Sequence, residues 1–285
     1  MSNMSQPTYH THISSKHRML DLNLKEVWKY RDLIVLFTKR NFVVKYKQTI
    51  LGPAWIFLNP LFSSIIYAFV FGGIAGIGTD GVPSMLFYLC SNAIWLFFST
   101  CMVSNARTFT ENAGVFGKVY FPRLTTPISN MLSAVIQFAV QMILVSIFLV
   151  YYLVRGEVYP NWGALFAVPL VLFHLGMLGM GCGIIVSSLT TKYRDLAVLI
   201  DFAVQLWMYA TPIVYPMSEL DIGWMRTILI INPVTAPVEV FRYAVLGQGS
   251  IMPGALALSG VITIVVLLGG IMIFNKVERT FMDTV

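Results

Sequence analysis

Charged residues are scarce in this chain of 285 residues, and their scarcity sets the class of protein. Asp, Glu, Lys and Arg make up 11% of the sequence, against about 25% in soluble globular domains. Hydrophobic residues make up 57%, and the mean hydropathy is +0.74. The net charge of +6 does not indicate nucleic-acid binding, because the basic residues flank apolar runs instead of covering one polar face. The composition therefore excludes an ordinary soluble domain and predicts an integral membrane protein.

Motifs for metal, disulfide and nucleotide binding are also missing from the sequence. The three cysteines, Cys90, Cys101 and Cys182, lie in apolar runs without CxxC spacing, which indicates neither a disulfide framework nor a metal site. No GxxxxGK(S/T) phosphate-binding loop occurs, and the nearest segment, Gly114 to Lys118, has the wrong spacing. The sequence therefore predicts no nucleotide site in this chain.

Long uncharged runs are what the sequence has in abundance. A helix needs about 20 apolar residues to cross a bilayer. Five uncharged runs exceed that length and a sixth is shorter: 48–79, 81–106, 124–154, 158–191, 243–275 and the short run 202–218. Sixteen of the nineteen Lys and Arg residues lie in the N-terminal segment, the 107–123 and 192–194 loops and the C-terminal tail. By the positive-inside rule, these segments face the cytoplasm, and six membrane-spanning helices place both termini there.

Residues 23–47 carry the pattern of an amphipathic helix. Asn23 followed by Glu26 is typical of a helix N-cap with its reciprocal partner. Apolar residues then recur near helical spacing, and lysines fall mainly on the other side: Leu24, Val27, Trp28, Ile34 and Val35 against Lys25, Lys29 and Lys39. We expect this helix to lie along the inner membrane surface after a cytoplasmic tail over residues 1–22. Packing on a soluble partner is the alternative.

The loop over residues 110–123 has the features of a short docking segment. Pro122 disfavours helix at Phe121, so a helix that begins near Glu111 should end there. Phe116, Tyr120 and Phe121 would then be apolar anchors on a small exposed helix, which suits docking into a groove on another protein. An ordinary loop fits the same residues equally well.

The region 210–249 is punctuated by four prolines, Pro212, Pro216, Pro233 and Pro237, which separate apolar pieces too short to cross a membrane. This pattern is typical of re-entrant half-helices. Ionisable groups at membrane depth usually face protein or water, so Glu239 and Arg242, three residues apart, suggest a border of a conduction path. A plain amphipathic extracytoplasmic loop is the alternative.

Short motifs recur in a fixed order from about residue 30 to the end of the chain. They are Arg40, Tyr46, Leu51-Gly52-Pro53, Trp55 and Pro60, then Lys118-Val119-Tyr120-Phe121-Pro122-Arg123, Tyr193-Arg194-Asp195, Pro212, Tyr215-Pro216, Asn232-Pro233, Arg242, Gly247, and Phe281 with Asp283. This ordered series resembles the permease subunit of ABC-2 type polysaccharide exporters, in the branch that exports O-antigen, capsule or teichoic acid. Two positions depart from the family pattern: Lys45 stands where many relatives have Arg, and Met282 replaces a small residue.

The resemblance implies an all-α protein that is a transport subunit and not an enzyme. It implies a six-span domain over residues 48–275 and a cytoplasmic tail over 276–285, in a homodimer in the bacterial inner membrane. Two separate ATPase subunits would carry ATP and Mg, so this chain would need no cofactor. The cargo would be a lipid-linked polysaccharide, with O-antigen favoured and capsular polysaccharide or teichoic acid as alternatives. The helix over residues 23–47 would guard a cytoplasmic entrance, and region 210–249 would lie near the exit.

The resemblance also distributes roles among residues. Cations at the cytoplasmic leaflet suit a lipid diphosphate headgroup, although anchoring to anionic lipids explains them equally well: Arg40, Lys45 and Lys47, with Tyr46 between them. Coupling to the ATPase would fall to residues of the docking segment: Glu111, Val115, Phe116, Lys118, Tyr120 and Phe121. The channel and its exit gate would involve aromatic, proline and ionisable residues: Tyr67, Trp207, Tyr209, Pro212, Tyr215, Glu239 and Arg242.

The residues give little support to two other classes of protein, secondary transporters and membrane glycosyltransferases. A secondary transporter normally shows internal repeats and ionisable residues near the midplane, and Asp201 is the one candidate. A membrane glycosyltransferase needs positioned carboxylates or a metal site. The extracytoplasmic acids show no such clustering along the sequence: Asp80, Glu157, Glu219 and Asp221.

Overall fold

The computed structural model describes residues 24–47, 50–116, 118–191, 193, 195–219 and 223–282. The predicted tail over residues 1–22, the Asn23 cap and the last three residues lie outside these ranges, as do the side chains of Leu24 and Tyr46. Helices and no strands occur within the described ranges, which confirms the all-α prediction. The helices are α1 Leu24–Lys29, α2 Arg31–Tyr46, α3 Trp55–Tyr67, α4 Ser84–Ala106, α5 Thr108–Phe116, α6 Thr125–Val154, α7 Val168–Thr190, α8 Leu196–Tyr209, α9 Gly223–Ile231, α10 Thr235–Leu246 and α11 Pro253–Met282.

Five helical segments are long and apolar enough to cross a membrane: Gly52–Ile74, Ser84–Ala106, Thr125–Val154, Ala164–Thr190 and Pro253–Val277. The predicted span over 202–218 corresponds instead to α8, which has 14 residues and ends before Pro212. At 1.5 Å per residue, α8 is about 21 Å long, shorter than the hydrocarbon core of about 30 Å. The count reaches six only when α9 and α10 form one bent span, so the six-span topology stays a prediction.

The predicted amphipathic helix is broken into α1 and α2 at Tyr30. Its buried face carries Val27, Ile34 and Phe37, whereas Trp28 and Val35 are exposed. Val27, Ile34 and Phe37 therefore face the rest of the subunit, whereas Trp28 and Val35 lie where the subunit does not cover them, and the apolar face predicted to lie on the membrane stays a prediction. Helix α2 packs against α6, and its position on a membrane surface stays a prediction.

Helix α4 is the most deeply buried of the candidate spans and lies between α6 and α7. Glycines allow the close approach of its neighbours. A Cβ added to Gly183 would lie 2.5 Å from the Cβ of Asn105, and one added to Gly181 would lie 3.0 Å from the Cα of Leu267. Helix α7 therefore contacts α4 and α11 through its backbone. Lipid tails are as apolar as the helices, so the hydrophobic effect does not drive helices together in a membrane, and close packing at small residues does so instead.

Helices α9 and α10 meet at an elbow of 90° around Pro233. Asn232 fixes this elbow to the end of α8, because its side chain makes four hydrogen bonds. Its Oδ1 accepts from the indole N–H of Trp207 and the backbone N–H of Val234, both at 3.1 Å. Its Nδ2 donates to the carbonyl of Ala210 at 2.8 Å and to the hydroxyl of Thr211 at 3.0 Å. The proline pattern of region 210–249 thus produces two short helices, and whether they are re-entrant stays a prediction.

The other side of the elbow is held by α7 and α11. Ser259 donates its hydroxyl proton to the carbonyl of Pro233, and His174 Nε2 lies 2.9 Å from both Ser259 Oγ and Thr263 Oγ1. Because Ser259 has only one proton to give, its oxygen accepts from His174 Nε2. Hydrogen bonds from three neighbouring helices therefore hold the elbow in place: α7, α8 and α11.

Candidate functional site

A cavity of about 840 Å³ opens between α2, α3, α4, α5, α6 and α8. We call it the polar cavity, because charged, amide and hydroxyl side chains line much of its wall. Its most polar lining residues are Arg40, Lys45, Glu111, Asn112, Asn130, Gln137 and Asp201. A volume in this range can hold a ligand of drug size or a headgroup with attached sugars.

Arg40 presents a positive charge to the polar cavity. Its Nη2 donates to Asn112 Oδ1 at 2.9 Å and to Asn41 Oδ1 at 3.2 Å, and its guanidinium lies 4.5 Å from the ring centroid of Phe37. Both amide partners are neutral, so they orient the guanidinium without cancelling its charge. Arg40 is therefore placed to attract an anion that enters the cavity.

A chain of amides joins α2 to the rest of the site. Asn41 Nδ2 donates to Asn130 Oδ1 at 2.8 Å, and Asn130 Nδ2 donates to the carbonyl of Ser104 at 3.1 Å. Through the bond from Arg40 to Asn112, α2 is also tied to α5, the helix of the predicted docking segment. A displacement of α5 would consequently change the orientation of the Arg40 guanidinium, which faces the cavity.

Lys45 reaches the cavity one turn further along α2. Much of its side chain is exposed, but its Nζ donates to Gln137 Oε1 at 3.1 Å. Desolvation by burial lowers the pKa of Lys45 below its usual value, because fewer water molecules stabilise the ammonium form. Of the other predicted headgroup ligands, Lys47 is exposed and does not line the cavity, and the side chain of Tyr46 lies outside the described residues.

Asp201 also lines the polar cavity, where it is paired with a residue that sequence reasoning did not single out. Arg107 Nη2 lies 2.5 Å from Asp201 Oδ2, and both side chains are partly exposed. An ion pair whose two side chains are partly exposed to solvent contributes about 0–1 kcal/mol to the stability of the fold. Asp201, the ionisable residue considered for a secondary transporter, is therefore one half of an ion pair between α8 and the residue that follows α4.

Sequence reasoning missed a polar stripe along α6. Polar residues recur every three or four positions in this otherwise apolar span, and all of them are buried: Ser129, Asn130, Ser133, Gln137 and Gln141. Counting charges cannot find them, because none is ionisable. The helical period of neutral polar residues was the available signal, since it puts all five on one face.

The predicted docking segment is folded differently from the expectation. Helix α5 begins at Thr108 and ends at Phe116, earlier at both ends than predicted. Phe116 and Phe121 are only 2% and 4% exposed, so the prediction that they are outward-facing anchors is wrong. They pack in an aromatic cluster instead: Phe121 lies 5.5 Å from Phe37 and 5.7 Å from Phe116 between ring centroids.

Other residues of this segment do face outward. Tyr120 is 73% exposed, and Glu111 and Lys118 are exposed as well, while Val115 is half-buried. The role of the six predicted coupling residues stays a prediction.

The predicted channel and gate residues are not gathered in one place. Tyr67 lines the polar cavity, and its hydroxyl lies 3.6 Å from Met208 Sδ. The other six lie outside that wall. Trp207 bonds Asn232 at the elbow, the hydroxyl of Tyr215 donates to the carbonyl of Tyr209 at 2.9 Å, and Pro212 is buried.

Glu239 and Arg242 form an ion pair inside α10, as their spacing suggested. Each is 2% exposed, and the guanidinium lies 4.9 Å from the ring centroid of Phe87. The second carboxylate oxygen of Glu239 accepts from the backbone N–H of Ser250 at 2.9 Å. The pair thus lies inside the subunit, and its part in an exit gate stays a prediction.

The fold and the cavity define a multi-span, all-helical membrane protein with a polar cavity between its helices. Residues 32–246 match the family model of the ABC-2 type transporter, and this range covers most of the chain. The protein therefore belongs to the ABC-2 type transporter family.

Curated relatives resemble the chain over nearly its whole length. Two O-antigen export system permease proteins RfbA from Klebsiella pneumoniae are each 28% identical over 257 residues, which span 88% of this chain and 94% of the relative. An O-antigen export system permease protein RfbA from Myxococcus xanthus is 24% identical over 223 residues, which span 77% of this chain and 82% of the relative.

Proposed function

We propose that this chain is the channel-forming permease of an ATP-driven exporter that carries a lipid-linked polysaccharide across the bacterial inner membrane. The names of the relatives favour O-antigen as the cargo. The observation that carries the proposal is the polar cavity, whose wall joins two cations of α2 to neutral amides of α6. A lipid diphosphate needs the cations, and an attached glycan needs the neutral polar groups.

The assembly we propose is a homodimer with two ATP-binding cassette subunits. ATP and Mg would be bound by those subunits, and both termini of this chain would face the cytoplasm. Two observations support this arrangement: family membership and the concentration of Lys and Arg in the segments assigned to the cytoplasm. The polar cavity would then be reached from the cytoplasmic side, because Arg40 precedes the first uncharged run.

Arg40 is the principal ligand that we assign to the diphosphate. Its partners orient the planar guanidinium, and a guanidinium can bind phosphate oxygens with two parallel hydrogen bonds. Lys45 adds a second cation within the same cavity wall. Tyr67, at the end of α3, also lines this cavity, and a sugar ring could pack on the face of its aromatic ring.

The link from Arg40 to Asn112 suggests how the motor is coupled to the cavity. Glu111, the exposed residue that precedes Asn112, and the exposed Tyr120 later in the same segment would contact the ATPase. A movement of α5 would then alter the hydrogen bond that orients Arg40. Substrate release and ATP hydrolysis would thereby be connected by one contact.

The test compares two neighbouring cations of α2 in the intact exporter. We expect Arg40→Glu to abolish surface display of the glycan, because a carboxylate would repel the diphosphate inside the cavity. Lys47→Glu is the matched control, since Lys47 is exposed outside the cavity wall. Membrane insertion of both variants should equal that of the wild type. Equal losses of export for the two variants would leave only lipid anchoring as the role of these cations, and normal export by Arg40→Glu would refute the proposed site.

A further inference from the structure

The wall of the polar cavity contains a third cation, Arg107, besides Arg40 and Lys45. Arg107 is the residue between two helices, because α4 ends just before it and α5 begins at Thr108. Its backbone carbonyl accepts a hydrogen bond from the N–H of Glu111 at 2.9 Å, which joins it to the first turn of α5. Arg107 is therefore fixed at the junction of α4 and α5, with its side chain in the cavity wall.

A single amide connects this junction to Arg40. Asn112 Oδ1 accepts from Arg40 Nη2 at 2.9 Å, and Asn112 Nδ2 donates to the carbonyl of Thr108 at 3.0 Å. Asn112 thus links the guanidinium of Arg40 to the residue next to Arg107. Because both arginines line one cavity and meet at this junction, a ligand in the cavity can contact both of them.

Asp201 is the partner of Arg107 across the cavity wall. Arg107 Nη2 lies 2.5 Å from Asp201 Oδ2, and Asp201 is the one side chain that bonds this guanidinium within the part of the chain that the structure describes. A guanidinium has five N–H donors, so most of them stay available to a ligand. The two side chains are 38% and 50% exposed, and an ion pair of this kind contributes little to stability. A stronger anion can therefore replace Asp201 at low cost.

A diphosphate is a stronger anion than the carboxylate of Asp201. Each phosphate can accept two parallel hydrogen bonds from a guanidinium, as a carboxylate does, and the two phosphates together carry more negative charge. Three cations and two acids line the cavity: Arg40, Lys45 and Arg107 against Glu111 and Asp201. Arg40 and Lys45 supply the charge for one phosphate, and Arg107 is the further cation in the same wall for a second.

We propose that Arg107 binds the second phosphate of the lipid-linked diphosphate in exchange for Asp201, while Arg40 and Lys45 hold the first. This inference rests on the proposed function and makes Arg107 the residue that distinguishes a diphosphate from a monophosphate. Asp201 is then a positioning residue, which directs the guanidinium of Arg107 until the headgroup displaces it. The exchange also removes the ion pair between α8 and the residue that follows α4.

The experiment titrates three probes against the permease with its ATPase in nanodiscs of zwitterionic lipid, which supply no other anionic headgroup. The probes are polyprenyl diphosphate, polyprenyl monophosphate and inorganic pyrophosphate. We expect the wild type to bind polyprenyl diphosphate most tightly, because the second probe lacks a phosphate and the third lacks the lipid.

Arg107→Gln should weaken binding of polyprenyl diphosphate by about tenfold or more and change that of the monophosphate by less than about twofold, because hydrogen bonds from a charged group to the second phosphate are lost. Arg107→Lys keeps the charge but not the paired donors, so its affinity for polyprenyl diphosphate should lie between those of Arg107→Gln and the wild type.

Two aspartates of α8 provide the matched controls. Asp201→Asn breaks the same ion pair as Arg107→Gln but leaves the guanidinium free for the ligand, so it should strengthen diphosphate binding by up to about fivefold. Asp195→Asn makes the same change of charge at the N-cap of α8, where Asp195 is exposed outside the cavity wall. Because salt screens such a distant charge, Asp195→Asn should change the affinity by less than about twofold.

Four outcomes would overturn the inference alone. Normal diphosphate binding by Arg107→Gln would show that Arg107 does not contact the headgroup, and equal weakening of both lipid probes would show that it acts only by its general charge. Weaker binding by Asp201→Asn would show that the ion pair matters only for the structure. Equal gains in Asp195→Asn and Asp201→Asn would exclude a local exchange.

Two other outcomes would overturn the proposed function, and the inference with it. One is a wild type that binds neither lipid probe. The other is a wild type that binds inorganic pyrophosphate as tightly as polyprenyl diphosphate, which would assign the cavity to a free anion.

Discussion

Polar groups inside this apolar chain are arranged differently at the elbow and in the polar cavity. At the elbow, Asn232 makes four hydrogen bonds to protein partners, and the carbonyl of Pro233 is bonded by Ser259. In the polar cavity, the guanidinium of Arg40 is bonded to the neutral amides of Asn41 and Asn112, and it forms no ion pair within the part of the chain that the structure describes. The hydrogen bonds of Asn232 and Ser259 hold the shape of the elbow, whereas the guanidinium of Arg40 lines the cavity and can meet a ligand there.

The buried pair of Glu239 and Arg242 belongs with the elbow in this respect. Both groups are removed from solvent, and the charge of each is met by the other. Desolvating two charges is expensive, so such a pair adds little net stability but is costly to break. We therefore expect substitutions near the elbow to affect folding, and substitutions in the cavity to affect binding.

The largest effect should follow from breaking the buried pair. Arg242→Met leaves Glu239 buried without its cation, and we expect the free energy of unfolding in detergent to fall by about 3–5 kcal/mol. The double variant Glu239→Gln with Arg242→Met removes the unpaired charge and should recover a large part of this loss. Identical losses in the single and double variants would show that the pair is not what the elbow region depends on.

Asn232→Leu should have the next largest effect. It deprives the N–H groups of Trp207 and Val234 of their acceptor, at a cost of about 2–3 kcal/mol. The matched control is Asn59→Leu on α3, where Asn59 is exposed and the expected change in stability is below about 0.5 kcal/mol. Chemical denaturation of both variants checks the difference, and equal destabilisation would remove the distinction between elbow and cavity.

The pH dependence of headgroup binding tests the cavity through Lys45. Because burial lowers the pKa of Lys45, this residue loses its proton at a lower pH than a lysine in water. Affinity for polyprenyl diphosphate should therefore fall, by up to about tenfold, as the pH rises from about 8 toward 10, where the phosphates are already ionised. Lys45→Arg should show a flatter profile, since a guanidinium stays charged over this range. A wild-type profile as flat as that of the Arg variant would contradict a contact between Lys45 and the headgroup.

The smallest effect on stability is expected at the surface of the docking segment. Tyr120→Ala removes an exposed side chain, so the unfolding free energy should change by less than about 0.5 kcal/mol while stimulation of the partner ATPase falls. Phe116→Ala empties a buried site and should cost about 3–5 kcal/mol, so its loss of activity would not report on docking. Normal ATPase stimulation by Tyr120→Ala would exclude this surface from coupling.

The sequence predicted those parts of the fold and site that depend on charge or proline. The membrane class and the break at Pro233 follow from desolvation cost and from a missing N–H, which act locally, whereas the role of Arg40 and Lys45 as headgroup ligands stays a prediction. The stripe that contains Asn130 and Gln141 was not predicted, because neutral amides leave uncharged runs uninterrupted.

Tertiary packing decided the features that the sequence misjudged. Phe116 and Phe121 have the composition of exposed anchors, yet they pack against Phe37, which is far away in sequence. Which face of a short helix is buried depends on the neighbour that covers it, and the sequence does not reveal that neighbour.

The most direct test of the account is site-specific photo-cross-linking to the lipid-linked glycan in membranes. A photoreactive residue replaces Gln205, which is exposed and lines the polar cavity, or Trp224, which is exposed on α9. We predict that position 205 cross-links to the glycan and that excess polyprenyl diphosphate suppresses this product, whereas any product at position 224 is not suppressed. Suppression at position 224 but not at 205 would contradict the assignment of the polar cavity as the substrate site.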